Sequence, residues 1–318
     1  MPCPSRLAQT KTEKPFATSR PGAPRRLRTI FFGSSDFAIP SLSALASAHD
    51  IAAVYTQADR PAGRGLKLTP TPVKAAAVPL GLDVFTPEKL DAGFVALAAG
   101  LRPELLACVS YGKILPVALL ESATLGALNV HPSLLPQYRG ATPIQAALRE
   151  GLKTTGVSVI WMSPRMDAGD IALQRSVAIE ATDDFAALHD RLARLGSDML
   201  LEAAAQLDEG RLARTPQEHE RATYTKPLRK EDLRIDFDSD PLAVVNQVRS
   251  LSPKPGAWAL VNGVRVKVLE AEVSPRGDVG VDGDAFAVAC RGGVVRLLRV
   301  IPEGKPAMTG AEFARQVK

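Results

Sequence analysis

Two side chains suited to acyl-transfer chemistry stand two positions apart in the stretch 126–145. Asn129 offers an amide donor and His131 a titratable imidazole, and both lie at the end of a predicted strand. Side chains two apart on a strand project from the same face, so both would point into one crevice. Prolines and Gly140 make the following loop rigid. A histidine that only caps a strand at a well-packed turn is the alternative that these residues leave open.

A carboxylate follows the next predicted strand, Val157–Met162. The segment Met166-Asp-Ala-Gly-Asp170 places Asp167 just after that strand. Taken alone, Asp-Ala-Gly-Asp is an ordinary turn sequence. Its place after a strand is nevertheless where ligands of an α/β sheet are found.

The segment 56–74 is a loop rich in glycine, proline and cations. Its basic residues are Arg60, Arg64, Lys67 and Lys74. Charged loops are usually solvated connections. The length and charge of this loop also suit contacts with the phosphate oxygens of an RNA backbone.

The turn Gly33-Ser-Ser-Asp-Phe37 after the first predicted strand argues against a dinucleotide enzyme. It lacks the GxGxxG spacing, and no acidic residue ends the second predicted strand. Cys108 lies within an apolar strand, where a cysteine is typical of the core rather than of a nucleophile. We therefore expect neither NAD binding nor a covalent intermediate.

Strand-like and helix-like segments alternate from residue 29 to residue 207. The predicted strands are Thr29–Gly33, Ile51–Thr56, Leu105–Val109, Leu128–Val130 and Val157–Met162. The predicted helices are Ala38–Ala48, Val117–Leu120, Ile144–Glu150 and Phe185–Leu207. This alternation predicts an α/β domain with a doubly wound, mostly parallel sheet.

The last third of the chain has a different pattern. A polar stretch at 208–225 is interpreted as a linker, and one helix, Pro241–Ser250, follows. Asn262-Gly263 and Arg291-Gly-Gly293 are hairpin signals. The strands expected around them are Ala257–Val261, Val264–Val273, Ala285–Cys290 and Val294–Val300. Residues 226–318 are thus predicted to form an OB-like β-barrel domain.

Composition sets further limits. The chain of 318 residues is 46% hydrophobic and 23% charged, which is typical of a globular protein with two domains. No apolar run is long enough for a membrane helix, and the cysteines Cys3, Cys108 and Cys290 lack disulfide or zinc spacing. Much of the net charge of +5 comes from residues 1–28, a proline-rich segment predicted to be disordered. These features favour a cytoplasmic protein with no metal.

The stretch 129–140 also carries a family resemblance. Asn129-Val-His131, Ser133-Leu-Leu-Pro136 and Arg139-Gly140 together resemble the signature of the folate-dependent formyltransferases. The segment 166–170 resembles the aspartate loop of that family. The family commonly has Gly-Leu before this aspartate and Thr after it, where this chain has Arg165, Met166 and Ala168.

The resemblance implies a set of site residues. Asn129, His131 and Asp167 would be catalytic: the first two would donate to the oxyanion of a tetrahedral intermediate, and Asp167 would orient His131 and assist proton transfer. The folate co-substrate would be bound by residues of the following loop, namely Ser133, Leu134, Leu135, Pro136, Arg139 and Gly140.

The basic loop resembles one that the members of the family acting on methionyl-tRNA place against the acceptor end. The segments 248–258 and 304–308 resemble two further boxes of that branch. The implied tRNA contacts are Arg60, Arg64, Lys67, Lys74, Arg249, Lys254 and Lys305. The implied reaction is transfer of a formyl group from 10-formyltetrahydrofolate to the amino group of methionyl initiator tRNA by a monomer, without a membrane.

Two rival functions remain. One is a formyltransferase for a small amine, glycinamide ribonucleotide or an amino sugar, which the basic loop argues against. The other is a tRNA-binding protein without activity, which the presence of Asn129, His131 and Asp167 argues against.

Overall fold

The computed structural model describes residues 25–62, 65 and 67–317. Residues 1–24 of the predicted disordered extension lie outside the described part, as does Arg64. For residues 25–28 the prediction is wrong, because they belong to the folded body. Leu27 is fully buried, and Arg28 opens the first strand with an ion pair to Asp50 at 2.8 Å. A lone leucine among arginines shows no periodicity, so its burial could not be read from the sequence.

Strands and helices alternate through the first two thirds of the chain. The strands are β1 (Arg28–Gly33), β2 (Asp50–Tyr55), β3 (Arg60–Ala62), β4 (Lys67–Thr69), β5 (Val84–Phe85), β6 (Leu105–Val109), β7 (Gly126–His131), β8 (Arg139–Gly140), β9 (Thr154–Trp161) and β10 (Ile171–Ala178). The helices are α1 (Ile39–Ala48), α2 (Pro72–Ala77), α3 (Ala92–Gly100), α4 (Val117–Leu120), α5 (Pro143–Arg149) and α6 (Phe185–Asp208).

The remaining elements form the C-terminal part. They are the strands β11 (Tyr224–Thr225), β12 (Ala257–Val261), β13 (Val264–Val273), β14 (Gly280–Asp282), β15 (Ala285–Cys290), β16 (Gly293–Pro302) and β17 (Met308–Thr309), and the helices α7 (Pro241–Leu251) and α8 (Gly310–Gln316).

A seven-stranded sheet in the order β10-β9-β7-β6-β1-β2-β5 forms the first unit. The five strands β7, β6, β1, β2 and β5 run parallel to one another, whereas β9 runs antiparallel to β7 and β10 runs antiparallel to β9. Phe31 of β1 faces a core with α1 and α6, and its neighbours Ile30 and Phe32 face the core with α3 and α4. The predicted doubly wound, mostly parallel sheet is confirmed.

The C-terminal unit is an antiparallel β domain. Its strands follow the order β12-β13-β16-β15-β14, and β17 pairs with β16. Both predicted hairpin turns are present; Asn262 and Gly263 have φ angles of 49° and 76° and join β12 to β13. The buried side chains of these strands pack against α7 and against Phe313 of α8. The expected OB-like domain is confirmed.

The segment 208–225, predicted as a linker, has a second role. It joins α6 to the C-terminal unit, and it also packs against the first unit. Thr215 forms a bridge with Ile171, and β11 pairs in parallel with β8. These contacts are short main-chain pairings and bonds of single polar side chains such as Gln217, which produce no periodic pattern in the sequence.

None of the helices in the described ranges combines the length and apolar character needed to cross a bilayer.

Candidate active site

A cleft of about 560 Å³ lies at the carboxyl edge of the parallel strands. Its volume is typical of a small-molecule site, and its place is where ligands of doubly wound sheets bind. Asn129, His131 and Asp167 all line this cleft. The structure therefore brings together the side chains that the sequence predicted to be catalytic.

His131 is held in one orientation at the end of β7. The residue is 4% exposed, and its Nε2 lies 2.9 Å from the carbonyl oxygen of Tyr138. A carbonyl oxygen only accepts, so Nε2 carries the hydrogen and donates. Nδ1 then faces Asp167, whose Oδ2 is 3.6 Å away. In the neutral ring this Nδ1 is an acceptor, and in the imidazolium it is a donor beside a carboxylate.

Asp167 occupies a backbone conformation that a side chain seldom adopts. Its φ angle is 49°, in the left-handed region. Its Oδ2 accepts a hydrogen bond of 2.8 Å from the backbone N–H of Gly140. Residues held in such conformations are concentrated at functional sites. The carboxylate is thus placed by a bond from the loop that also carries His131's partner, Tyr138.

Gly140 is required at its position for two reasons. Its φ angle is 105°, and a Cβ there would collide with the carbonyl oxygen of Thr225. The close approach comes from the pairing of β8 with β11. A glycine here lets the segment 208–225 pack against the loop that donates to Asp167.

Asn129 lies on β7 beside Cys108 of β6 in the strand register. It is half-buried and lines the cleft. Burial, aided by the negative charge of Asp167, raises the pKa of the Cys108 thiol to about 12. Because the thiolate is the nucleophilic form, this cysteine is a poor nucleophile at neutral pH. The geometry agrees with the prediction that no covalent intermediate forms.

The structure places the six predicted folate contacts in two different settings. Of the six residues assigned to folate, Gly140 lines the cleft, and Ser133, Leu134, Leu135, Pro136 and Arg139 are not among its lining residues. Ser133 is fully buried, and its hydroxyl donates to the carbonyl oxygen of Gln137 at 2.6 Å. Leu135 is 2% exposed, and its N–H donates to Ser158 Oγ at 3.1 Å. These bonds fold the loop, and contact of its residues with folate stays a prediction.

Arg139 is hydrogen-bonded inside the protein. It is 3% exposed, and its guanidinium donates to Oε1 of Gln217 at 2.6 Å and to Nδ1 of His219 at 2.9 Å. Both acceptors belong to the segment 208–225. The arginine therefore fastens that segment to the site loop.

Three of the predicted tRNA contacts lie on or beside the β3–β4 hairpin, and Arg64 lies outside the described residues. Arg60 and Lys67 are exposed. Lys74 is half-buried, and its Nζ forms an ion pair of 2.8 Å with Asp59. This lysine closes the base of the basic loop.

The predicted tRNA contacts in the C-terminal part of the chain also include both exposed and half-buried residues. Lys254 and Lys305 are exposed. Arg249 is half-buried on α7, and its Nε donates to Asn246 Oδ1 at 2.9 Å. Burial lowers the pKa of Arg249. Because α7 packs against α5, this arginine sits at the junction of the two units rather than on an open surface.

Sequence reasoning missed a second polar cluster in the cleft, formed by His189 and Asp36. His189 Nε2 is 3.3 Å from Asp36 Oδ1, and its Nδ1 is 2.9 Å from Asp190 Oδ1. Burial lowers the pKa of His189, but the bonds and charges of the two aspartates outweigh it and raise the pKa overall. The rings of Phe37 and Phe185 pack on the imidazole at 5.4 Å. The sequence signal that could have identified this cluster is a histidine within the apolar face of α6.

Family profiles match nearly the whole described body. The profile described as "Formyl transferase" matches residues 27–204, and "Formyl transferase, C-terminal domain" matches residues 227–318. The chain belongs to the formyl transferase family. The resemblance stated from the sequence is confirmed, and so is its implication that the protein is a formyltransferase.

Curated relatives match this formyl transferase over almost their full length. It is 41% identical over 297 residues to a methionyl-tRNA formyltransferase of Ruegeria pomeroyi, covering 91% of this chain and 97% of that protein. It is 40% identical over 296 residues to a methionyl-tRNA formyltransferase of Moorella thermoacetica, covering 90% of this chain and 95% of that one.

Solved structures share the fold of this formyl transferase. An N-formyltransferase of Helicobacter canadensis, in complex with folinic acid and dTDP-3-aminofucose, has a TM-score of 0.65 at 16% identity over 85% of this chain and 98% of that chain. HypX of Aquifex aeolicus, in complex with tetrahydrofolic acid, has a TM-score of 0.61 at 18% identity and covers 91% of this chain. The match spans 47% of HypX, so this chain is about half the length of that protein.

Proposed function

We propose that this formyl transferase moves the formyl group of 10-formyltetrahydrofolate to the amino group of methionyl initiator tRNA, for translation initiation. The observation that carries the proposal is the convergence of Asn129, His131 and Asp167 in one cleft, with a hairpin of exposed cations anchored beside it. The names of relatives that are about 40% identical over nine tenths of the chain support the same substrates.

The chemistry of the step follows from the tautomer of His131. The amine nitrogen bonds to the formyl carbon, the bond from that carbon to the folate nitrogen breaks, and one proton moves from the amine to that nitrogen. Nδ1 of the neutral ring is an acceptor and can take the proton of the amine. The resulting imidazolium lies 3.6 Å from the carboxylate of Asp167, which stabilises it. The same proton is then available for the leaving nitrogen.

The oxyanion of the tetrahedral intermediate needs donors that are already in place. Asn129 supplies an amide N–H₂ from β7, and protonated His131 supplies Nδ1–H from the same face of that strand. Both project into the cleft from a strand buried in the middle of the sheet. Their positions therefore need little reorganisation during the reaction.

We propose that the folate ring lies in the cleft, beside the loop 133–139 that carries the predicted folate contacts. The walls of the cleft are contributed by 110–115 and 162–167, and they include apolar side chains such as Leu115 and Met162. Such walls suit a flat heteroaromatic ring. Lys113 donates to the carbonyl oxygens of Pro87 and Glu88 at 2.7 and 2.9 Å and so fixes the outer wall.

The tRNA assignment rests on exposed cations. Arg60, Lys67, Lys254 and Lys305 are available to phosphate oxygens, and we propose Arg64 of the basic loop as a further tRNA contact. Lys74 would act by holding the base of the loop through Asp59. We propose a monomer with a catalytic domain at 29–207, a connecting segment at 208–225 and a tRNA-contacting domain at 226–318. The unpaired cysteines Cys108 and Cys290 favour the cytoplasm.

A formyl-transfer assay tests the assignment by offering three acceptors side by side: methionyl initiator tRNA, elongator methionyl-tRNA and glycinamide ribonucleotide. We expect a marked preference for the initiator tRNA in kcat/KM. Equal use of glycinamide ribonucleotide, or of an amino sugar added as a fourth acceptor, would instead favour the small-amine function.

A further inference from the structure

Gln217 is a buried glutamine in the middle of the connecting segment. It is 6% exposed, and its amide makes four hydrogen bonds to the site. Nε2 donates to the carbonyl oxygen of Asp167 at 3.0 Å and to that of Gly169 at 2.6 Å. Oε1 accepts from Nε and Nη2 of Arg139 at 3.2 and 2.6 Å. The amide is fully used, and each end faces the partner type that it can bind.

These bonds bear directly on the unusual backbone of Asp167. A left-handed aspartate persists only where its surroundings fix it. The N–H of Gly140 fixes the carboxylate, and the Nε2 group of Gln217 fixes the main chain at Asp167 and two residues later. Together these contacts set the distance of 3.6 Å between Asp167 Oδ2 and His131 Nδ1.

We propose that Gln217 is a positioning residue for the catalytic carboxylate of Asp167. It acts through the backbone of the aspartate loop and does not itself line the cleft. The inference rests on the proposed function, because it requires that Asp167 take part in the reaction. It gives the segment 208–225 a role in catalysis beyond connecting two domains.

A purely structural role would produce a different result, and the chain contains a matched residue with which to measure it. Gln247 on α7 is 7% exposed, and its Nε2 donates to the carbonyl oxygens of Asp232 and Arg234 at 3.0 and 2.9 Å. It makes the same type of bridge in the C-terminal unit, away from the cleft-lining residues. Gln247→Leu therefore measures the loss of such a bridge without disturbing Asp167.

The test compares Gln217→Leu and Gln217→Glu with Gln247→Leu. Gln217→Glu keeps an oxygen that accepts from Arg139 and removes the two donors to the aspartate loop. It serves as the second variant if Gln217→Leu does not fold. We expect both Gln217 variants to lose kcat by on the order of 10- to 100-fold, as for a small misplacement of a catalytic group. For both variants, KM for tRNA and folate should change by less than about 3-fold, because Gln217 does not line the cleft. Gln247→Leu should lower Tm and leave kcat unchanged.

A double-mutant cycle with Asp167→Asn separates the inference from the proposed function. If Gln217 acts through Asp167, then Gln217→Glu will reduce single-turnover rates much less in the Asp167→Asn background than in the wild type. Additive losses, or a Gln217→Glu enzyme with native kcat, would overturn the inference while leaving the role of Asp167 standing. Native turnover of Asp167→Asn itself would remove the proposed mechanism and the inference with it.

Discussion

The aspartate loop and the basic hairpin lie at the same edge of the sheet, but they are held in opposite ways. Around Asp167, backbone and carboxylate are both fixed by hydrogen bonds from Gly140 and Gln217. In the hairpin, Lys67 to Thr69 are all exposed, with Leu68 67% exposed. The hairpin is anchored near its base, where Arg60 donates to Gln57 and Gln57 donates to the carbonyl oxygen of Tyr111.

The difference matches two physical demands. Stabilising a developing charge requires donors and carboxylates that are already in position. Contacting the backbone of a large polyanion requires several solvent-exposed cations. Displacing one of them costs less free energy than displacing a group in the catalytic site. Changes in the aspartate loop should therefore have large effects on turnover, and changes in the hairpin should have smaller effects that depend on salt.

The largest effects are expected from the catalytic side chains. Asn129→Ala, His131→Ala and Asp167→Ala should each lower kcat by about 10²- to 10³-fold, because each removes a donor or proton carrier from a preorganised site. Circular dichroism and Tm should stay near native for Asn129→Ala, whose side chain is half-buried. A variant that keeps native turnover on methionyl-tRNA would remove that residue from the mechanism.

The sequence predicts some of the site residues and misses others. Asn129 and His131 were found because a strand places alternate residues on one face, a local rule. The sheet strands and the Asn262-Gly263 turn were found by similarly local patterns. Gln217 and His189 were not, because Gln217 bonds to residues that lie 48 or more positions away and His189 reaches Asp36, which is more than 150 positions away.

The loop 133–139 shows another limit of the sequence. Its motif is interpreted as contact with folate, and the structure adds an internal role for Arg139, which is 3% exposed and bonds to Gln217. A fixed spacing of residues indicates that a loop needs them, but it does not indicate which of them face a ligand and which face the interior.

Gly140→Ala should be the next largest effect. The new Cβ would collide with the carbonyl oxygen of Thr225, and the loop that donates to Asp167 would have to move. Gly263→Ala is the matched control: its φ angle is also positive, 76° against 105°, and no heavy atom lies within 4 Å of the Cβ position. Both variants should lose about 1–2 kcal/mol from the left-handed backbone. Gly140→Ala should lose more, and it alone should lose kcat.

Chemical denaturation and steady-state rates decide this point. Equal destabilisation of the two alanine variants would show that the contact with Thr225 relaxes freely. Native kcat in Gly140→Ala would show that Asp167 does not depend on the loop.

A smaller effect is expected from Arg64→Ala in the basic loop 56–74. Use of charged tRNA should weaken, binding of folate by calorimetry should not change, and the slope of log K against log salt should fall by about one unit if the lost contact is to a phosphate. A contact with a base edge would instead relax the preference for initiator over elongator tRNA. Arg194→Ala, which removes an exposed cation from α6, is the control. Unaltered tRNA kinetics at every salt concentration would favour the small-amine substrates.

The smallest effects concern pH and stability, and they come from two buried histidines whose pKa values move in opposite directions. The bonds and charges of Asp36 and Asp190 raise the pKa of His189 above its ordinary value of 6.5 despite burial. Burial, aided by the charge of Arg26, lowers the pKa of His49. His189 therefore stabilises the fold fully below about pH 6.5 and loses this contribution as pH rises through its folded pKa. His49 contributes above about pH 6.5, and its contribution is lost as pH falls through its folded pKa.

The two glutamine variants should separate these contributions. The free energy of unfolding lost in His189→Gln should be greater near pH 6 than near pH 9, by about 0.2–1 kcal/mol, since Asp36 and Asp190 are 71% and 64% exposed and water screens such pairs. His49→Gln should show the opposite slope over about pH 5 to 8, because a neutral side chain removes the cost of protonating the buried ring. Urea denaturation across this range measures both. Parallel slopes would mean that Asp36 and Asp190 do not stabilise protonated His189. Packing alone would then hold this polar cluster in the cleft.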